Sequence, residues 1–111
     1  MDNLEKMFEV QKEFSGHWKD FDNMKDGDRR RAIDGFLLDL YDEVSEIRQE
    51  NNIKAWRKTT DGRRMPDEIV DAFAYLVSIA HCCGISAKDF SEKYFKKMEA
   101  NEQDYARRKN G

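Results

Sequence analysis

The sequence has few of the residues that interrupt helices: among 111 residues there are one proline and six glycines. It has only two cysteines, and these are adjacent, at Cys82 and Cys83. Neighbouring cysteines cannot link distant segments, so we expect no disulfide framework and a reducing, cytoplasmic setting. No apolar run approaches the roughly 18 residues of a membrane span, and the first residues do not resemble a signal peptide. We therefore expect no membrane partner.

An excess of one charge is also missing. Lys and Arg number 20 and Asp and Glu 23, which gives a formal net charge of -3, and the two signs are interleaved. A general nucleic-acid-binding protein would carry a dominant basic face, so nucleic acid is not an expected partner. Hydrophobic and charged residues each make up 39% of the chain, a mixture typical of amphipathic helices with solvated outer faces.

Apolar residues recur at spacings of three and four, which predicts four helices in one domain, residues 1–111. Their predicted ranges are 2–18, 29–51, 66–83 and, after a cap at Ser86, 87–105, with a turn at 20–28 and a basic loop at 57–64. The third is apolar almost all round and should be central and buried. We predict an all-α bundle of four to five helices. Association into a homodimer or homotetramer should complete it, because so short a chain leaves about a third of its surface exposed.

Acidic side chains form a row along the second predicted helix. Asp39, Glu43, Glu46 and Glu50 lie beside its apolar sector, and no Lys or Arg interrupts the row. Like charges at such spacings cost about 0.2–0.5 kcal/mol per pair on an exposed helix. Folding alone does not favour this arrangement, whereas a bound cation would relieve the repulsion.

The third predicted helix carries a second acidic pair, Glu68 and Asp71. Burying an unpaired carboxylate is costly, so such groups normally find a counter-charge or a metal. If the two helices pack antiparallel, this pair can face Glu43 and Glu46, and their oxygen ligands suit a hard ion such as Mg²⁺. In so highly charged a chain, a single acidic pair usually lies on a solvated helix face. Two acidic pairs, each beside an apolar stripe, favour a metal-binding site.

The order of these motifs resembles the signature of the all-α nucleoside triphosphate pyrophosphatases, which include the MazG-type enzymes and the dimeric dUTPases. Glu43-x-x-Glu46 is followed after 21 residues by Glu68-x-x-Asp71. The resemblance implies an all-α NTP pyrophosphatase fold and Mg²⁺-dependent hydrolysis of a (deoxy)nucleoside triphosphate to monophosphate and pyrophosphate, with Mn²⁺ as a substitute ion. It implies dUTP as the first expected substrate and broader, MazG-like specificity as the second.

The reaction implied by the resemblance needs a metal site and a group that activates water. The candidate metal ligands are Glu43, Glu46, Glu68 and Asp71. Glu46 is the first candidate for the carboxylate that orients or deprotonates the attacking water, and Glu43 is the second.

The resemblance also implies substrate-binding residues. In LEKMFEVQKEF, Gln11 matches a glutamine of the dimeric dUTPases that contacts the base. Lys54 and Trp56 match a Lys and a Trp that follow the metal helix, and Trp56 could stack on a base. Lys97 and Asn101, in YFKKMEAN, match a Lys and an Asn of the last helix. The candidate cations for the outer phosphates are Lys54, Arg57, Lys58, Arg63, Arg64 and Lys97.

The sequence departs from the dimeric dUTPases in two respects, and two alternative functional classes have to be considered. The dimeric dUTPases usually carry a His-Phe pair where this chain has Ala74 and Tyr75, and the chain is shorter than typical members, so uracil specificity is open. A di-iron bundle needs Glu-x-x-His pairs, and neither His17 nor His81 has a Glu three residues before it. A non-catalytic binding or adaptor module of the same fold remains, although such a module has no physical reason to keep four mutually repelling acids.

Overall fold

Four α-helices and one 3₁₀ turn make up the computed structural model, which describes residues 2–51 and 62–110. The helices are α1 (Asn3–Ser15), α2 (Asp26–Asn51), α3 (Met65–Cys82) and α4 (Ala87–Asn110), and the 3₁₀ turn is Phe21–Asn23. These residues contain no strand, so the all-α prediction is confirmed for the part of the chain that the structure describes.

The helix ends follow local capping chemistry. The Asp2 side chain accepts a hydrogen bond from the amide of Glu5 at 2.8 Å and caps α1. The Ser86 hydroxyl accepts one from the amide of Asp89 at 3.1 Å, which confirms the predicted cap of α4. α3 ends shortly before Gly84, whose φ of +70° is readily adopted by glycine.

Three predicted helix boundaries were wrong. α1 stops three residues before residue 18, and α4 continues five residues beyond residue 105. α2 begins at Asp26, inside the predicted turn. Its first turn is acidic, which suits a helix N-terminus, and two ion pairs follow: Arg29 with Asp26 at 3.0 Å and Arg31 with Asp28 at 2.9 Å. These local interactions outweigh the turn tendency of Gly27.

α2 and α3 form the largest helix contact and run antiparallel. Glu43 meets Asp71, whereas Phe36, earlier on α2, lies beside the same cavity as Ser78, later on α3. α1 packs on another side of α3, so α3 occupies the predicted central position. The prediction that it would be buried was wrong for one side, since its apolar residues Ile69, Val70 and Leu76 are 53%, 64% and 52% exposed.

Phe8 is the largest member of the core between α1, α3 and the start of α4. It is buried with Val77, Ala80 and Ala87. Its ring contacts that of His81 edge-on at 5.4 Å between centroids. His81 Nε2 also lies 2.8 Å from the Phe8 carbonyl oxygen, and burial lowers the pKa of this imidazole. Both interactions are consistent with a structural role for His81.

Replacing Phe8 with Ala is expected to lower the free energy of unfolding by about 3–5 kcal/mol, because it leaves a cavity in the core. Urea denaturation followed by circular dichroism measures the change. Phe95→Ala is the control, since that ring is 69% exposed and its removal should change stability by about 0.5 kcal/mol or less. Equal losses in the two variants would contradict the placement of the core.

α4 projects from the other helices. Its direction differs by 108° from that of α3, and it packs mainly on α1, where Phe90 meets Phe8 at 5.8 Å between ring centroids. The Cα radius of gyration is 17.5 Å, against about 13 Å for a compact domain of this length. No single helix among the described residues is long and apolar enough to span a membrane, although α3 and α4 pass that test of length and composition as a bent pair.

Candidate functional site

The acidic residues of α2 and α3 meet where these helices pack together. One carboxylate oxygen from each of Glu43, Glu68 and Asp71 lies within 4.8 Å of the others. Glu46, one turn further along α2, is exposed and interacts with Glu68 and Glu43. The structure thus brings the four predicted ligands together, three as a tight group and Glu46 at its exposed edge. We call Glu43, Glu46, Glu68 and Asp71 the acid cluster.

Glu68 is the most deeply buried member of the acid cluster, with only 3% of the residue exposed. Arg64 forms an ion pair with it, at 3.4 Å between Nη2 and Oε1, but the Arg64 side chain is itself 74% exposed. An exposed guanidinium at that distance compensates a buried carboxylate only weakly, because water screens it. The cluster therefore concentrates more negative charge than this ion pair offsets.

Burial, the hydrogen bond to Glu68 and the surrounding carboxylates raise the pKa of Glu43 to about 7. The pKa of Glu46 is also raised, first by its hydrogen bond to Glu68. Two carboxyl groups can share a hydrogen bond only if one of them holds a proton. Without a cation, the acid cluster is therefore expected to retain a proton near neutral pH.

The acid cluster has the chemistry that a divalent cation requires. All its potential ligand atoms are oxygens, which hard ions such as Mg²⁺ prefer. Glu43 Oε2 is buried and has no hydrogen-bond partner among the described residues. A cation would give this oxygen a partner, replace the shared proton and relieve the repulsion, so the donor set of these residues is compatible with a hard divalent cation.

A cavity of about 330 Å³ lies between α1, α2 and α3, and two of its lining residues, Asp39 and Tyr75, are each one helical turn from a member of the acid cluster. Aromatic rings contribute much of its lining: Phe14 of α1, Trp18 in the turn after α1, Phe36 of α2 and Tyr75 of α3. Tyr75 connects the cavity to the acids. Burial raises the pKa of its phenol, and the nearby charges of Asp39, Glu43, Asp71 and Glu46 raise it further.

Hydrogen-bonding groups lie at one side of this cavity. Gln11 Nε2 donates to the hydroxyl oxygens of Ser15 at 3.1 Å and Ser78 at 3.2 Å, and the two hydroxyls are 3.0 Å apart. Ser15 is 4% exposed and Ser78 is fully buried. Because all three side chains hold one another in place, the cavity presents a fixed polar wall among aromatic rings.

Of the residues in this wall, the sequence predicted a substrate-binding role for Gln11 and none for Ser15 or Ser78. Ser15 follows Phe8 and Gln11 at helical spacing, so a small polar residue on an otherwise inward-facing stripe was the available signal. Tyr75 was noted only as a departure from the dimeric dUTPases. Trp18 lay at the end of a predicted helix that in fact stops earlier.

The structure describes only some of the remaining predicted substrate-binding residues. Lys54, Trp56, Arg57 and Lys58 lie outside the described residues. Arg63 is exposed immediately before Arg64 at the start of α3. Lys97 and Asn101 are exposed on α4, which makes no substantial contact with α2 among the described residues.

Comparison with known proteins finds no matching family model, no matching curated protein and no matching solved structure. The case for a function therefore depends on the acid cluster, on the cavity beside it and on the order of the sequence motifs. Of these, the cavity is the observation that the sequence alone could not supply.

Proposed function

We propose that this chain is a Mg²⁺-dependent hydrolase that converts a (deoxy)nucleoside triphosphate to the monophosphate and pyrophosphate. The observation that carries the proposal is the convergence of Glu43, Glu68 and Asp71 within 4.8 Å on two helices whose motif order resembles the all-α NTP pyrophosphatases. The aromatic cavity beside these acids supports it, because it offers a place for a base next to a place for phosphates.

Different members of the acid cluster can bind the ion and activate the attacking water. Glu43, Glu68 and Asp71 would hold Mg²⁺, which when bound neutralises the triphosphate and polarises the phosphorus under attack. Glu46 is exposed beside them, where it can orient a water molecule and accept its proton. Glu43 is the second candidate, because it lies one helical turn from Glu46 in the same cluster.

The cavity suits one nucleobase rather than a whole nucleotide, because about 330 Å³ is at the lower end for small-molecule sites. Trp18 and Phe14 offer rings on which a base can stack. Gln11, with Ser15 and Ser78 behind it, can read a base edge by hydrogen bonds. dUTP is the first substrate to test, and a broader set of (d)NTPs is the second.

A nucleotide panel tests the proposal. Ribo- and deoxyribonucleoside triphosphates are incubated with the protein, with and without Mg²⁺, and pyrophosphate and orthophosphate are measured separately. We expect pyrophosphate and monophosphate in equal amounts, only with Mg²⁺ or Mn²⁺. Orthophosphate release would contradict the reaction type. No turnover of any nucleotide, with binding retained in calorimetry, would favour a non-catalytic binding or adaptor module.

Replacing Trp18 with Ala is expected to raise KM for the preferred nucleotide about tenfold, because base stacking on an aromatic ring contributes about 1–3 kcal/mol. kcat should change little, since Trp18 lines the cavity and is not part of the acid cluster. Steady-state kinetics measure both constants. Phe95→Ala is the matched control, because Phe95 and Trp18 are both 69% exposed. An equal rise in KM in both variants would contradict a base-binding cavity.

A further inference from the structure

Two adjacent thiols lie at the junction between α3 and α4. Cys82 is the last residue of α3, Cys83 follows it, and both are free. Cys82 is buried, with 6% of the residue exposed, whereas Cys83 is exposed. They are the two cysteines of the chain. Any disulfide within one copy therefore has to join these two neighbours.

Both thiols line a second cavity, of about 810 Å³, between α1, the 3₁₀ turn and the α3–α4 junction. It shares no lining residue with the cavity beside the acid cluster and has room for a small peptide. Charges of both signs surround it, among them Glu5 and Glu9 of α1 and Lys88 of α4. None of these three forms an ion pair within the described part of the chain. A zwitterionic ligand, with amines and carboxylates, therefore suits this cavity better than an apolar one.

The two thiols differ in their readiness to react. Burial raises the pKa of the Cys82 thiol, and the neighbouring Cys83 raises it further. The thiolate is the form that attacks a disulfide, and an exposed thiol is more accessible than a buried one. Cys83 should therefore react first, and Cys82 is then the adjacent thiol that can complete an exchange.

We propose that Cys82 and Cys83 are a reversible redox site for a small zwitterionic disulfide of the glutathione type. The Cys83 thiolate attacks one sulfur of glutathione disulfide, whose S–S bond breaks. A mixed disulfide forms, and the leaving glutathione takes up the proton that Cys83 has lost. The Cys82 thiolate then attacks the Cys83 sulfur, and the second glutathione leaves with the proton of Cys82. Two protein thiols and one glutathione disulfide thus become one ring disulfide and two glutathione thiols.

This ring cannot form while the last turn of α3 is intact. Neighbouring side chains of a helix point about 100° apart, whereas a disulfide needs Cβ atoms within about 4.5 Å. The peptide between the two cysteines therefore has to turn. It carries the N–H of Cys83, which donates to the carbonyl oxygens of Ile79 and Ala80, both at 3.1 Å, and the next amide, of Gly84, donates to His81 at 3.1 Å. Oxidation should open this end of α3, and reduction should close it again.

The full chain, reduced and then incubated with glutathione disulfide, tests the site by intact mass. The mass should fall by two hydrogen atoms with no glutathione attached, and dithiothreitol should restore it. Amide hydrogen exchange in residues 79–85 should become about tenfold faster in the oxidised chain, and the melting temperature should fall by about 5 °C. Neither readout depends on the proposed hydrolase activity.

Cys82→Ala is the matched control, because Cys83 can then form only the mixed disulfide. Glutathione should remain attached, and the melting temperature should change by less than about 2 °C on thiolation, since Cys83 is exposed. Cys82→Ser serves the same purpose if Ala lowers the helix content in circular dichroism. In Cys83→Ala, the buried Cys82 should take up glutathione at least about tenfold more slowly than Cys83 does in Cys82→Ala.

A stable mixed disulfide in the original chain would overturn the proposal, because Cys82 would then not complete the exchange. So would a chain that does not react, or a disulfide that joins two copies. An equal fall in melting temperature in the oxidised original chain and in thiolated Cys82→Ala would show that no ring opens α3. Equal rates of thiolation in Cys82→Ala and Cys83→Ala would contradict the first attack by Cys83.

Discussion

Asp71→Asn is expected to lower kcat for pyrophosphate release at least about a hundredfold while leaving the helical fold intact. Asp71 is exposed, so an amide of the same shape fits without repacking. The substitution removes one of the three charges that converge within 4.8 Å, and with it a ligand for the cation. Pyrophosphate release and circular dichroism, measured on the same sample, separate lost chemistry from lost structure.

Asp67→Asn is the matched control for this experiment. Asp67 is also an exposed aspartate near the start of α3, but it is not among the three converging acids. Its replacement should change kcat less than about twofold. A similar loss of activity in both variants would mean that general charge on α3, and not the acid cluster, sustains the reaction.

Gln substitutions of Glu46 and Glu43 extend the same experiment to the choice of water-activating group. If Glu46 positions the water, Glu46→Gln lowers kcat and leaves the affinity for Mg²⁺ nearly unchanged, because Glu46 lies at the exposed edge of the cluster. Glu43→Gln should weaken Mg²⁺ binding as well, since Glu43 belongs to the converging group. The reverse pattern would assign the water to Glu43.

Mg²⁺ at about ten times its dissociation constant at pH 8 is expected to raise the melting temperature at that pH by roughly 5 °C, and the same concentration should raise it less at pH 5. The pKa of Glu43 is raised to about 7 in the folded chain, so folding strengthens its hold on a proton. This contribution to the free energy of unfolding is fully present when the pH is below the ordinary pKa of glutamate. It is lost as the pH rises through the folded-state pKa of about 7. The ion-free protein should thus be less stable at pH 8 than at pH 5, and Mg²⁺ should reverse the difference.

Thermal denaturation with a chelator, with Mg²⁺ and with NaCl of equal ionic strength measures this effect. Screening by salt reduces repulsion between exposed charges without selecting a divalent ion. If NaCl stabilises the protein as much as Mg²⁺ does, the acids merely repel one another and hold no cation. Asp71→Asn should bind Mg²⁺ more weakly and show a smaller Mg²⁺-dependent shift than Asp67→Asn.

The helices were predictable because they depend on interactions within a helix, and the members of the acid cluster were predictable because each of its two acidic pairs stands out on its own helix. Apolar spacing gave four helices, and like charges on one side of α2 identified Glu43 and Glu46 as unfavourable without a partner. The start of α2 was missed because Asp26 and Gly27 are common in turns, whereas the ion pair of Asp26 with Arg29 favours a helix.

The cavity was not predictable, because it depends on which helices become neighbours. Ser15 and Ser78 are 63 residues apart in sequence, and nothing in either local pattern reveals that their hydroxyls meet at 3.0 Å. The exposure of Ile69 has a similar origin. An apolar helix predicts buried surface, but the sequence does not say whether the same chain or another copy covers it.

The length of α4 makes the position of its far end sensitive to its attachment. Twenty-four residues of helix extend about 36 Å, while the contact between Phe90 and Phe8 lies within the first turn. A change of about 10° in direction at Gly84 would move Asn110 by about 6 Å, but Phe90 by only about 1 Å. Small changes in the backbone torsions of Gly84 therefore produce large displacements of the distal half of α4, which carries Lys97 and Asn101.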